Sequence, residues 1–545
     1  MRSFGKWLSL ILAAGLWAQK PVLNTDTQGQ LNDARVEFIQ SGTGASTRTG
    51  EAKLQESISV KDFGAVGDGT TDDTTAIQAA VNKATTTALP MTVDFPQGKY
   101  RITAKINVGN NTRVVFRGHS IGIIVSSIER APAFTTDDMV RVTGSGALGI
   151  ANLMFDSINT SGAFAAVRVD TGGTLSAKGL HINNGTYGVV SDGAARLSLY
   201  DFAYINQDVT VASQAGLQLD CTTGSSTNIL ISGGNITAVT LGDPETLLSG
   251  INIACADGVQ IDNLTISARR GITFSPSGTK YSLNTYIDNV ILDAFTEWGV
   301  GFIGSPSNGF GFITISNSHL NGQHVVGGTA SCIDVGYSGA ANVDTLRFIG
   351  NNIMDCNRDG IRIGALSTAK SIEIIGNAIL NNDAEAASYV GVRLATGLSG
   401  VHLRGNTIGN RSVIAALQDW GIAIEGTLTD SQITDNDLSS NAAGPLSITT
   451  SFAGLMTNNK GLDDVMSQTI ASGTTIVLGG YPFYTITGTA ALQTINGGWA
   501  GRVVTLMFDN AAPGGLTTGG NIPRARTVVQ NESVTLRFNG SSWYH

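Results

Sequence analysis

The chain has 545 residues, 68 of them glycine, with 42% hydrophobic and only 14% charged residues. That apolar share excludes a disordered chain, and the length exceeds what one small core needs. The net charge of −9, with no cluster of lysine and arginine, argues against a nucleic-acid partner.

The N-terminus, MRSFGKWLSLILAAGLWAQ, carries Arg2 and Lys6 ahead of an apolar run. It reads either as a signal peptide over residues 1–18 or as a segment that attaches to a partner within residues 1–57. No stretch reaches the length of a comfortable membrane span. Next comes VKDFGAVGDGTTDDTTAIQAAV, residues 60–81, rich in aspartate, glycine and threonine. Ile77, Ala80, Val81 and Ala84 fall at helical spacing, and Asp72 or Asp73 stands where an N-cap belongs. The aspartates therefore read as turn and cap residues that lead into a capping helix, and not as a catalytic or EF-hand cluster.

Strand-like runs follow, punctuated by asparagines: Asn235, Asn263, Asn289, Asn317, Asn351, Asn377, Asn406 and Asn436, at intervals of 28, 26, 28, 34, 26, 29 and 30. A period in this range, with short β runs and no long amphipathic helix between, predicts stacked coils. The fold class is all-β, a right-handed single-stranded parallel β-helix over residues 58–460. Each coil then lies ~4.8 Å above the last. Asparagines at one repeated corner can bond along the stack as a ladder. Residues 461–545 read as a separate small β module, sandwich-like, with Trp499 and Trp543 as packing residues.

Cys221, Cys255, Cys332 and Cys356 show no metal spacing and read as buried thiols. His319 and His324 do not form a helical metal pair. No cofactor and no metal is implied.

The stretch SVKDFGAVGDGTTDDTTAIQAAV with VDFPQGKYRI after it resembles the first-coil motif of the pectate-lyase-like superfamily, which includes polygalacturonase-like enzymes and phage tailspikes. VEFIQSGTGASTRTGEAKLQESISVKDFGA, upstream, resembles the leader of phage tailspikes. The resemblance implies a virion protein of the phage tail, or alternatively a secreted one. It further implies a homotrimer joined to tail or baseplate proteins through its N-terminus, and a bacterial surface polysaccharide as ligand. The C-terminal module resembles those that cap and trimerise tail proteins. Polygalacturonase catalytic signatures are missing, so no catalytic residue carries over.

The asparagine ladder serves instead as a ruler. Asp293 and Asp355 each lie four residues after a ladder asparagine, and Glu297, Asp359 and Glu385 each lie eight after. Carboxylates on neighbouring coils fall near the spacing of a glycosidase pair. Arg358 beside two aspartates could neutralise a uronate, and Trp298 and Trp420 could stack sugar rings. These eight residues form the predicted site of a glycoside hydrolase or polysaccharide lyase; a non-enzymatic adhesin is the alternative.

Overall fold

A computed structural model describes residues 37–545, apart from 86–89, 120–125, 158–163, 207–212, 223, 239–246, 277–278, 304–307, 323–330, 337–341, 365, 367, 383–388, 395–397, 411–417, 450–451 and 463–466. The N-terminal expectation for residues 1–18 lies outside the described residues, as does Glu385.

Parallel strands stack from Ser57–Ser59 to Gly454–Thr457. One face is a 13-stranded sheet that begins at Ile106–Val108 and ends at Gly444–Ile448. The other strands bend around a corner into two further faces. In the upper coils a single long strand makes the bend at a left-handed residue: Asn152, Gly179, Asp201, Gly233 or Asn263. Lower down the strand divides there, at Asn289, Asn317, Gly350, Gly376 and Gly405. Asparagine, aspartate and glycine tolerate this conformation with little strain, which is why they recur at the corner.

Inward positions are apolar at every rung. Phe116, Ile150, Ala177, Leu199, Ile231, Ile261, Ile287 and Ile315 take one place on successive coils. All are buried in one continuous core. Phe274 and Phe302 stack in parallel with centroids 4.7 Å apart.

The asparagine ladder is real but has two registers, and Asn235 lies in neither, since it aligns with Thr265, two residues beyond Asn263. Asn351, Asn377, Asn406, Asn436 and Asn459 are buried, and each of the first four donates Nδ2–H to the next Oδ1 at 2.8–3.0 Å. Asn263, Asn289 and Asn317 sit one residue earlier, at the left-handed corner, and are exposed. In their coils Ser318 and Val290 occupy the inner place, for the Ser318 amide bonds Asn351 Oδ1 at 3.0 Å and the Val290 amide bonds Ser318 Oγ at 3.1 Å.

The aspartate-rich turn is structural. Asp68 accepts from the Thr70 and Thr71 amides at 2.8 and 2.7 Å. Asp73 is buried and holds the Val66 and Gly67 amides at 2.6 and 3.1 Å. The helix Thr74–Thr85 follows, with Ile77, Ala80, Val81 and Ala84 in the core. Gln78 exchanges hydrogen bonds with the Asn107 backbone at 2.8 and 3.1 Å, so the helix covers the first strand of the 13-stranded face.

The C-terminal module has its own core around Tyr484, Leu506 and Trp543. Ser467–Ala471, Phe483–Thr487 and Val503–Phe508 pair in parallel before Glu532–Phe538 and Trp543–Tyr544 turn antiparallel. Coiling thus continues in the module before a hairpin-like finish. Trp499 and Trp543 are both buried.

Two cysteines correct the reading of four thiols. Cys332 and Cys356 form an interior disulfide, with Cα atoms 5.6 Å apart. Cys221 and Cys255 stay reduced and buried, and burial pushes the Cys221 thiol up to about 12.

Candidate functional site

The carboxylates chosen by ladder spacing do not converge. Asp334, Arg362 and Arg393 hold one place on successive rungs of the 13-stranded face. Arg362 pairs with Asp334 at 3.0 Å. Arg393 turns to Asp359, with Nε and Nη2 at 2.8 and 3.1 Å, and also pairs with Glu425. Asp359 is 2% exposed and accepts the Val390 amide at 2.9 Å as well. Burial raises the pKa of both Asp359 and Asp334, against the pull of the arginines.

Glu297 belongs to a different cluster, clamped between Arg269 and Arg270. Trp298 is 1% exposed; its Nε1–H bonds Thr273 Oγ1 at 3.1 Å, and the Arg270 guanidinium lies 4.5 Å from its ring centre. A ring covered in this way is no stacking surface, which corrects that expectation. Trp420 is half-buried, beside Val390 in register. Arg358 lies over the Tyr389 ring at 5.5 Å.

Asp293 and Asp355 are also apart in register. Asp293 aligns with Asn321, and Asn321 aligns with Met354. Asn321 Nδ2–H donates to Asp293 at 2.8 Å, and Asn381 Nδ2–H to Asp355 at 2.7 Å. The two-register ladder explains the error. Counting from Asn289 and from Asn351 starts at different places, and one residue along a strand reverses the side that a side chain faces.

A more open site lies on the face that precedes the left-handed corner. A groove of about 370 Å³ is lined by Arg196, Ser198, Tyr200, Asn228, Leu230, Gly258, Gln260, Asn284 and Tyr286. Ser198, Leu230, Gln260 and Tyr286 occupy one place on four successive coils. Tyr200 is 39% exposed and Tyr286 56%. Three rungs separate them, about 15 Å along the axis. An exposed ring at each end with amides and a guanidinium between suits the chemistry of a sugar polymer: rings cover C–H faces, and amides exchange hydrogen bonds with hydroxyls.

Two carboxylates border this groove. Asp262 and Asp288 are paired on adjacent rungs, each two residues beyond a groove-lining Gln260 or Tyr286 and so on the same side. Asp262 accepts from Ser232 Oγ at 2.5 Å and Asn263 Nδ2 at 2.7 Å. Asp288 accepts from Ser316 Oγ and Asn317 Nδ2 at 2.7 and 2.8 Å. Neither has an ion-pair partner among the described residues. No sequence spacing signalled this site, because its residues share only register. A second, smaller cleft of about 270 Å³ lies lower on the same face, lined by Glu373, His402, Arg404 and Gln432. Among the described residues, no group of three or more His, Cys, Asp or Glu side chains is placed to hold a metal. No described helix is long and apolar enough to cross a membrane.

Comparison with known proteins agrees with this architecture. A family model described as rhamnogalacturonase A/epimerase, pectate lyase-like, matches residues 57–284. The tailspike protein of E. coli bacteriophage HK620, solved in complex with a pentasaccharide, superposes with a TM-score of 0.58, at 12% identity over 88% of this chain and 85% of that one. The chain shares the parallel β-helix fold of that tailspike. Tailspike protein 3 of bacteriophage CBA120 is also similar, with a TM-score of 0.50, 14% identity, and coverage of 85% of this chain and 70% of that chain. A probable glucan endo-1,3-beta-glucosidase of Arthroderma benhamiae is 49% identical over 57 residues, which are 10% of this β-helix chain and 6% of the fungal protein.

Proposed function

We propose that this β-helix is a phage tailspike that binds a bacterial surface polysaccharide along the Tyr200–Tyr286 groove and cleaves it. The polymer is a capsule, exopolysaccharide or O-antigen. The N-terminal segment joins tail or baseplate proteins, and three copies associate. The groove carries the reading: an open channel of aromatic rings and amides suits a repetitive polar polymer. The tailspike solved with a pentasaccharide supports the same ligand class.

Asp262 and Asp288 are the carboxylates we assign to cleavage. Adjacent rungs set their backbones ~5 Å apart, which leaves the two carboxyl groups able to reach the roughly 5–5.5 Å separation of a retaining glycosidase pair. One would protonate the glycosidic oxygen as its bond to the anomeric carbon breaks, and the other would attack that carbon. Water then releases the sugar.

Digestion of purified capsule and lipopolysaccharide panels tests this. Reducing ends without absorbance from unsaturated uronate are expected, and Asp262→Asn or Asp288→Asn should lower the rate at least ~100-fold, within the range of acid–base catalysis. Tyr286→Ala should weaken binding about tenfold, the equivalent of ~1.4 kcal/mol. Release together with uronate absorbance would make the protein a lyase and shift attention to Arg404 and His402 in the lower cleft.

One observation favours a second reading, a non-enzymatic adhesin. Glu297 and Asp359, two of the five carboxylates that the sequence placed in the site, are neutralised by arginines. Binding with no release from any bound polymer would establish that reading.

A further inference from the structure

Phe312 stands in a backbone conformation that its side chain disfavours. Its φ is 56°. Every other described non-glycine residue with positive φ is asparagine or aspartate, except Ala294. For a bulky residue the left-handed region is a true outlier, and such strain persists only where something else requires it.

The position belongs to a stack. Leu283 pairs with Gly311 and Thr285 with Ile313, so Phe312 lies one rung below Asn284. Asn284 has φ 50°, Gly258 φ 73° and Asn228 φ 53°, and all three line the groove. These are the residue types that accept this bend. Phe312 is the last left-handed residue of the stack, because the next coil, Asn342–Ile349, has none. The ring is 49% exposed, so the fold buries only half of it. Tyr286 lies one rung up and two residues along, about 8 Å away between Cα atoms.

We infer that Phe312 forms the lower end of the polysaccharide groove, a flat apolar platform for a sugar ring that presents a C–H face. The inference rests on the groove reading above. Tyr200 and Tyr286 carry hydroxyls that can bond a sugar; Phe312 has none, so its subsite selects by shape and apolar contact alone. Asparagine in this place, as in the coil above, would suit the backbone better and offer no platform. A ring kept at an unfavourable bend is thus placed for a ligand and not for the core.

The experiment compares Phe312→Asn, Phe312→Tyr and Tyr286→Ala for affinity toward the capsule and O-antigen polysaccharides that the full chain binds. Melting temperature and sedimentation are measured alongside. Phe312→Asn should weaken binding at least fivefold. Relief of backbone strain offsets the lost half-buried ring, so melting should shift by no more than about 2 °C. Phe312→Tyr should bind as the parent does. Should the Asn variant lose its fold, Phe312→Leu, apolar but not flat, carries the same expectation. Unchanged affinity in Phe312→Asn with a loss in Tyr286→Ala would overturn the platform and leave the groove. Unchanged affinity in both would overturn the groove as well. A changed oligomeric state at unchanged affinity would make Phe312 a contact between copies, which also overturns the inference.

Discussion

Asp359 and Asp68 show how the same side chain titrates in opposite directions. Asp359 is buried, and its folded-state pKa lies above the unfolded value near ~3.9. Between those two values the folded chain holds the extra proton, so stability declines as pH rises through that window. Asp359→Asn should flatten this decline in urea midpoints taken from about pH 4 upward, relative to the parent. It should also cost about 3 kcal/mol, because Arg393 loses a buried partner. Asp68 has the opposite sign. The amides of Thr71 and Thr70 lower its pKa. Its contribution is present above the unfolded value and is lost on acidification. Asp68→Asn should therefore soften the acid limb of the same curve.

The ladder asparagines make two classes of element that the sequence writes with one letter. Asn406 donates to Ile374 O and Asn436 Oδ1, and accepts from the amide and side chain of Asn377. Asn406→Ala would strand several buried polar groups, at roughly 1–3 kcal/mol each. A loss of at least about 3 kcal/mol is expected by chemical denaturation. Asn317→Gly, at the exposed left-handed corner, should change stability by less than about 0.5 kcal/mol. Reducing the Cys332–Cys356 bond, which closes a separation of 24 residues, should cost about 3 kcal/mol. The coils were legible because the same bend recurs and selects the same few residues. The site was not, because it depends on register across coils. Tyr200 and Tyr286 lie 86 residues apart, and only the pairing of four strands makes them neighbours. A shift of one residue at Asn317–Ser318 was enough to misplace Asp293 against Asp355.

At the scale of the whole molecule, the two ends of the stack are closed differently. The helix Thr74–Thr85 covers the first coil. At the other end Trp499 pairs with Phe452 and joins the main core, and Arg502 lies 4.2 Å from its ring centre. Truncation after residue 460 would uncover Phe452, against which Trp499 lies, and the Gly444–Ile448 edge strand, against which Gly480 lies. An exposed sheet edge recruits other edges. Light scattering of the truncated chain should therefore show higher-order association where the full chain shows a defined species.

The buried ladder also has a mechanical meaning. Its side-chain bonds run lengthwise, in the direction in which the coils would be pulled apart, and they span only Asn351 to Asn459. Above Ser318 the side-chain bonds between coils, such as Asn289 to Asn263 and Asn317 to Asp288, lie at exposed corners and form no buried continuous chain. Under axial tension the upper half is the weaker spring. Under a given axial load the coils that carry the groove would extend more than the laced lower shaft.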